Sequence, residues 1–235
     1  MLLSVRDLSA ILQVPEATIY RWIGEKGLPA REINGHYRAH PVDLLQWLAD
    51  HPVPVNPRAL PTDCPEGSVP SLGAAVRAGG VYHDLPGSTR EEALTALTDR
   101  LPPITGLPAD DLRLLLVRRE SVGSTYLKDG IAVPHPHYPL IHTTIPPMLA
   151  VAFPAAPIPW NGNGNTVRVL FTLITPTVRD HLRLLGRLMF ALHDTRVKDL
   201  IGRKGSAAEF VALAEELDLE ITPAGSHPPA EAAKP

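Results

Sequence analysis

Apolar positions recur at helical spacing from the start of the chain. Val5, Leu8, Ile11 and Leu12 fall on one stripe of a 3.6-residue repeat, and Ser4 stands three residues before Asp7, a spacing that resembles a capping box. Val14-Pro15 breaks the pattern, and a second helix is predicted over 16–25. Its Ile19, Trp22 and Ile23 face inward, which turns Thr18, Tyr20 and Arg21 outward; Gly27 and Pro29 end it. Two short helices about a tight turn make a helix-turn-helix. Beyond them, Asn34-Gly35 signals a hairpin flanked by Arg31 and by His36, Tyr37 and Arg38. Leu44, Leu45, Trp47 and Leu48 then predict a closing helix.

The pattern changes further on. Helices are predicted over 71–78, 89–101 (capped by Ser88 or Thr89) and 110–118, and strand-like runs over 130–133, 148–153 and 167–174. The Asn-Gly-Asn-Gly-Asn run at 161–165 reads as a turn, since it has neither the lysine nor the spacing of a phosphate-cradling loop. A long helix follows over 177–193, lined by Leu182, Leu185, Leu188, Met189 and Leu192, and a final one over 207–217. Alternating helices and strands predict an α/β sandwich built on one sheet.

Composition divides these regions. The 26 prolines are about twice the ordinary ~5% frequency, and they cluster at 52–70 and 223–235. Because proline fixes φ and removes a backbone donor, the first cluster is predicted to be an extended linker and the second a disordered tail. The expected organisation is therefore a module at 1–51, a linker at 52–70, a larger domain at 71–221 and a tail at 222–235.

Charge adds little. The net charge is −3, and residues 1–51 hold five Lys/Arg against six Asp/Glu, so DNA affinity must arise from a local surface. The single cysteine, Cys64, cannot close an internal disulfide. The most apolar stretch, 145–160, carries five prolines and is shorter than the ~20 residues a spanning helix needs. No charged-then-apolar leader opens the chain. A cytoplasmic protein without membrane insertion is expected.

ATIYRWI, then GLPA, INGHYR and DLLQWL, resemble the winged helix-turn-helix of excisionase and MerR-type proteins over residues 1–51. The resemblance implies that the second helix enters the major groove, with Thr18, Tyr20 and Arg21 reading or positioning DNA. It also implies that Arg31, His36 and Arg38 grip phosphates; the planar guanidinium suits both guanine and phosphate. A helical module that docks protein is the alternative. A monomer of this size neutralises few phosphates, so useful affinity asks for a homodimer.

Two segments of the larger domain carry further chemistry. One is RRESVGSTYLKDGIAVPHPHYPL, with His135 just past an apolar strand and Arg119, Glu120, Gly123, Ser124 and Thr125 before it. The other is RDHLRLLGRL, with His181 at the head of the long helix. Together they resemble the enzyme IIA domain of the fructose/mannitol class of the phosphotransferase system, over about 150 residues. The fold implied is a mixed sheet flanked by helices, preceded here by the small, mainly α winged helix-turn-helix.

A neutral imidazole leaves a ring nitrogen free to attack phosphorus, and phosphoryl transfer asks the protein mainly for positioning and charge stabilisation. The resemblance implies that His135 receives the phosphoryl group from an HPr-like carrier, that His181 donates it a hydrogen bond, and that Arg119 offsets its charge. Ser124 and Thr125 would hold the non-bridging oxygens. The family text commonly has glycines where this chain has Tyr126 and Lys128. Pro136-His137 resembles the Pro-Arg of members that also carry an N-terminal helix-turn-helix, which implies a fused regulatory form. No cofactor is called for. Gathering of a metal by His135, His137, His142 and His181 is an alternative, weakened by the lack of a carboxylate or cysteine at helpful spacing. Three functions follow: a phosphorylation-sensitive DNA-binding regulator, a plain phosphocarrier serving a sugar permease component, and a partner-sensing DNA-binding protein without phosphoryl chemistry.

Overall fold

A computed structural model of the protein describes residues 2–33, 35–39, 43–44, 47–48, 51, 53, 56, 70–104, 107–136, 140 and 145–221. Asn34 of the hairpin, Leu45 of the closing helix, Cys64, His137, His142, most of the 52–70 linker and the 222–235 tail lie outside these residues.

In the N-terminal part, strand β1 (Leu3–Ser4) leads directly into helix α1 (Val5–Leu12). Ser4 and Asp7 close a capping box: the Asp7 carboxylate accepts the Ser4 N–H at 2.8 Å, and the Ser4 hydroxyl accepts the Asp7 N–H at 3.2 Å. Gln13 ends α1 in the left-handed region, and helix α2 (Glu16–Glu25) starts after Pro15. Strands β2 (Arg31–Ile33) and β3 (His36–Ala39) pair antiparallel through Gly35 at φ +79°, and β1 joins on the far side of β3. Leu8, Ile11, Leu12, Ile19, Trp22, Leu44 and Trp47 bury the apolar stripes predicted above, and Leu28 joins them. The Trp47 indole donates to the Lys26 carbonyl at 2.9 Å and rests 5.5 Å from the Trp22 ring, locking the end of α2.

The larger part comprises α3 (Leu72–Gly79), β4 (Val81–Leu85), α4 (Arg90–Thr98), α5 (Ala109–Val122), a 3-10 turn at Lys128–Gly130 and β5 (Ile131–Ala132). Then come β6 (Met148–Pro154), β7 (Ile158–Pro159), β8 (Thr166–Val167), β9 (Val169–Ile174), α6 (Val178–Ala191), α7 (Thr195–Gly202) and α8 (Ala207–Ile221). One mixed sheet runs in the order β4-β6-β9-β5: β6 and β9 are antiparallel, and each edge strand lies parallel to its neighbour. Leu149, Val151 and Phe153 of β6 pack with Val76, Leu188 and Phe210 on one face. Met148, Ala150 and Ala152 pack with Leu94, Leu97 and Leu116 on the other. Helices thus cover both faces, which is why β6 and β9 read as unbroken apolar runs and not as alternating ones.

Close packing sets local requirements. A Cβ on Gly79 would stand 2.4 Å from the Leu149 carbonyl carbon, so only glycine lets the end of α3 lie on β6. Within the helical layer on the first face, the Asp218 carboxylate of α8 accepts from the Ser71 hydroxyl at 2.6 Å and from the N–H groups of Leu72 and Gly73 at 2.9 and 3.0 Å. It also pairs with Arg187 of α6, with both side chains largely buried. One carboxylate therefore caps α3 and ties it to α6 and α8.

Several boundaries differ from the sequence reading. The run expected as one strand over 167–174 divides at Arg168, whose N–H is taken by the Gly130 carbonyl at 2.7 Å; β8 pairs with β7 in a hairpin, and β9 pairs with β6. The strand expected over 130–133 shortens to two residues, because Asp129 and Gly130 both sit at positive φ and Pro134 follows. Strand β4 and helix α7 were not expected from the sequence, and α5 runs four residues past the predicted end.

Candidate functional site

The two histidines come together at the C-terminal ends of adjacent strands. His135 follows β5 through Val133 and Pro134, and Leu173 of β9 donates its N–H to the Pro134 carbonyl at 3.1 Å, fixing that exit. His181 is the fourth residue of α6. Thr177 caps that helix by accepting the Asp180 N–H at 3.0 Å, and its carbonyl accepts the His181 N–H at 3.1 Å. The two imidazoles lie with centroids 5.0 Å apart, and each residue is only 3% exposed.

Hydrogen bonds define what each ring offers. Nδ1 of His135 lies 2.7 Å from the Val133 carbonyl oxygen. A carbonyl only accepts, so Nδ1 carries the proton and the neutral ring keeps an unprotonated Nε2. Nδ1 of His181 lies 3.1 Å from the Thr175 hydroxyl. Burial, and after it the charge of Arg119, pushes the His181 pKa down to about 4, so this ring is neutral near pH 7. Arg119, on the last turns of α5, is buried and donates from Nη1 to the Gly123 carbonyl at 2.6 Å. Its cation is therefore held beside the histidine pair, away from water.

The residues at 123–125 are tied to the segment that leads to His135. Thr125 is buried, and its carbonyl accepts the Val133 N–H at 3.1 Å; Ser124 is half-buried, and its hydroxyl accepts the Tyr126 N–H at 3.2 Å. Tyr126 forms a bridge to Ala132, while Lys128 is exposed on the 3-10 turn. Support behind these groups comes from Thr175 and Trp160, to which no motif pointed, and from the carboxylate of Glu120, named above without a role. Glu120 accepts from the Thr125 N–H at 3.1 Å, from the Thr125 hydroxyl and from the Trp160 indole at 3.0 Å. Burial pushes its carboxyl pKa up, against those hydrogen bonds and the charge of Arg119. Among the described residues no group of three or more His, Cys, Asp or Glu stands close enough to hold a metal ion.

The second surface lies on the N-terminal part. Tyr20, Arg21, Arg31 and His36 are exposed, and Thr18 and Arg38 are half-buried. The Tyr20 ring meets Tyr37 edge-on at 5.9 Å, coupling α2 to β3. Arg31 stands directly across from Arg38 in the β2–β3 ladder, a like-charge pairing that repels by itself and that an anion relieves. Arg21 faces Glu25 at 4.0 Å with both side chains in solvent, a weak tie that leaves the guanidinium available.

A mixed sheet covered by helices, with two buried histidines and an arginine at its strand ends, defines a phosphohistidine carrier domain; the first part defines a DNA-binding helix-turn-helix. The chain belongs to the family of the phosphoenolpyruvate-dependent sugar phosphotransferase system, EIIA 2, whose model matches residues 76–216, more than half of its length. Residues 2–52 match a helix-turn-helix domain. The chain is 32% identical over 117 residues to the PTS system 2-O-alpha-mannosyl-D-glycerate-specific EIIABC component of Escherichia coli, covering 47% of this chain. It spans only 17% of that relative's length. Nitrogen Regulatory Protein IIA-Ntr from Neisseria meningitidis superposes with a TM-score of 0.50 at 22% identity, over 57% of this chain and 92% of its own. A PTS IIA protein from Streptococcus mutans gives a TM-score of 0.50 at 19% identity, over 63% and 96%. These two structures share the fold. No helix among the described residues is long and apolar enough to cross a membrane.

Proposed function

We propose that His135 accepts a phosphoryl group from an HPr-like carrier and that the phosphorylated state alters DNA binding by the helix-turn-helix. The observation that carries this reading is the pair of buried imidazoles 5.0 Å apart, with Nδ1 of His135 committed to the Val133 carbonyl. The Nε2 lone pair forms the new N–P bond as the donor's N–P bond breaks, and that electron pair returns to the donor's imidazole. With the Thr175 hydroxyl donating to Nδ1 of His181, its Nε2–H donates to a phosphoryl oxygen. Arg119 offsets the charge and the Ser124 hydroxyl holds a remaining oxygen; Thr125, expected beside it, gives both its hydroxyl and its N–H to Glu120 and supports the site from behind.

In this account residues 1–51 bind DNA through Thr18, Tyr20 and Arg21 of α2 and through Arg31, His36 and Arg38 of the wing. Residues 52–70 are a linker, 71–221 the carrier domain and 222–235 a tail, and the protein acts in the cytoplasm as a homodimer. Negative charge added beside Arg119 reorganises a surface that the linker or a second subunit contacts. The EIIABC relative favours a second reading, a plain carrier that passes phosphate to a sugar permease component.

The test is phosphorylation of wild-type and His135→Ala protein by a phosphoenolpyruvate-driven donor cascade, read by intact mass under mildly alkaline conditions. One acid-labile phosphoryl group on the wild type and none on the variant supports the carrier chemistry. No gain on wild-type protein with a cognate donor removes His135 as the acceptor.

A further inference from the structure

The Glu120 carboxylate takes no part in the transfer described above, yet it gathers three donors. From it a line of hydrogen bonds leads to the imidazole. The Thr125 N–H donates to Glu120 at 3.1 Å, the Val133 N–H donates to the Thr125 carbonyl at 3.1 Å, and His135 Nδ1–H donates to the Val133 carbonyl at 2.7 Å. The Thr125 hydroxyl and the Trp160 indole complete the carboxylate's shell. Arg90 braces both ends, donating from Nη1 to the main-chain carbonyls of Glu120 and Trp160 at 3.3 Å each.

Such a carboxylate is a poor way to stabilise a core. Removing a charge from water is costly, and apolar packing of equal volume often serves as well or better. What the arrangement supplies is geometry, since Thr125 is held by two bonds to one rigid acceptor.

We propose that Glu120 is a positioning residue for the phosphoacceptor: by anchoring Thr125 it sets the Val133 carbonyl, which keeps His135 in the Nδ1–H tautomer with Nε2 unprotonated. This rests on His135 being the acceptor. With the anchor weakened, the 123–125 turn relaxes, the Val133 carbonyl leaves its place, and part of the population carries the proton on Nε2. That nitrogen then has no lone pair with which to attack.

The experiment compares full-length wild-type, Glu120→Gln and Thr125→Val protein. Glu120→Gln keeps the shape but turns an amide NH₂ toward one of the donors. Thr125→Val removes only the hydroxyl bond, and it serves alone if Glu120→Gln does not fold. Two quantities are read: the His135 ring nitrogen shifts of ¹⁵N-labelled protein, and the phosphorylation rate as a function of donor concentration. The expected result for Glu120→Gln is a clear rise in the Nε2–H tautomer with a several-fold fall in kcat that matches the lost Nδ1–H fraction at unchanged KM, and a smaller change of the same sign for Thr125→Val. Wild-type ring shifts and rates in both variants would overturn the proposal, as would a loss confined to KM, which would place Glu120 in donor docking. If wild-type protein accepts no phosphate, the acceptor reading fails; the nitrogen spectra still decide whether Glu120 sets the tautomer.

Discussion

The histidine pocket and the outer face of α2 with its wing are built on opposite terms. In the pocket the two histidines and the arginine are buried and each is tied to a fixed oxygen: His135 to the Val133 carbonyl, His181 to the Thr175 hydroxyl, Arg119 to the Gly123 carbonyl. On the N-terminal face the functional side chains are exposed or half-buried and their ties are weak or local, such as Arg21 with Glu25 at 4.0 Å. The difference matches two tasks. A phosphoryl acceptor must present one nitrogen in one tautomer inside a dry, preorganised site, whereas a DNA-reading surface must leave its cations free for phosphates and base edges. Substitutions in the first region should therefore change rates and stability, and substitutions in the second should change affinity and salt dependence alone.

The largest effect is expected at the Asp218 junction. Asp218→Ala leaves Arg187 buried without this carboxylate and uncaps α3, and it should cost about 3–5 kcal/mol in chemical denaturation of the larger domain. A loss no greater than that of an exposed-site variant would show that α3 is held by apolar packing. Next is Arg119→Met, which removes the cation from the pocket. Phosphorylation rate should fall by roughly 10²–10³ while DNA affinity of the unphosphorylated protein stays unchanged.

Acid sharpens the contrast. The His181 pKa lies near 4 in the folded protein and near 6.5 when unfolded, so between those values the unfolded chain binds a proton that the folded chain refuses. Stability is full above about pH 6.5 and falls as the pH drops toward 4, by on the order of 3 kcal/mol from this group. Subtracting the pH profile of His181→Gln isolates that contribution; identical profiles would mean that the ring is not buried. The smallest effects belong to the wing and α2. Arg38→Ala and Arg21→Ala should each lower the slope of log affinity against log salt by about 1 and leave stability within about 0.5 kcal/mol. A large stability loss would instead make these arginines structural.

What the sequence disclosed follows the same division between local and distant causes. Helices α1 and α2 were legible residue by residue because their signals, Ser4 with Asp7 and then Pro15, lie within one turn of the ends they set. The cores of β6 and β9 stood out as continuous apolar runs. Strand β4 did not, because it is an edge strand with exposed His83 and Asp84, the latter at φ +51° where the pairing with β6 shifts. Helix α7 was hidden by its short, mixed sequence. In the site, His135 and His181 could be singled out by their motifs, but the bonds that position them could not. Thr175 lies in the short connection between β9 and α6, outside any motif, and Trp160 stands 40 residues from the carboxylate it serves.

The most direct test of the account is DNA affinity measured on one preparation before and after phosphorylation, across a range of salt, with His135→Ala carried in parallel. The account predicts a change in affinity of about 5- to 150-fold on phosphorylation, abolished in His135→Ala and reversed when the phosphoryl group is removed. Equal affinity of the two forms at every salt concentration would contradict it, leaving two domains that share a chain without sharing a signal.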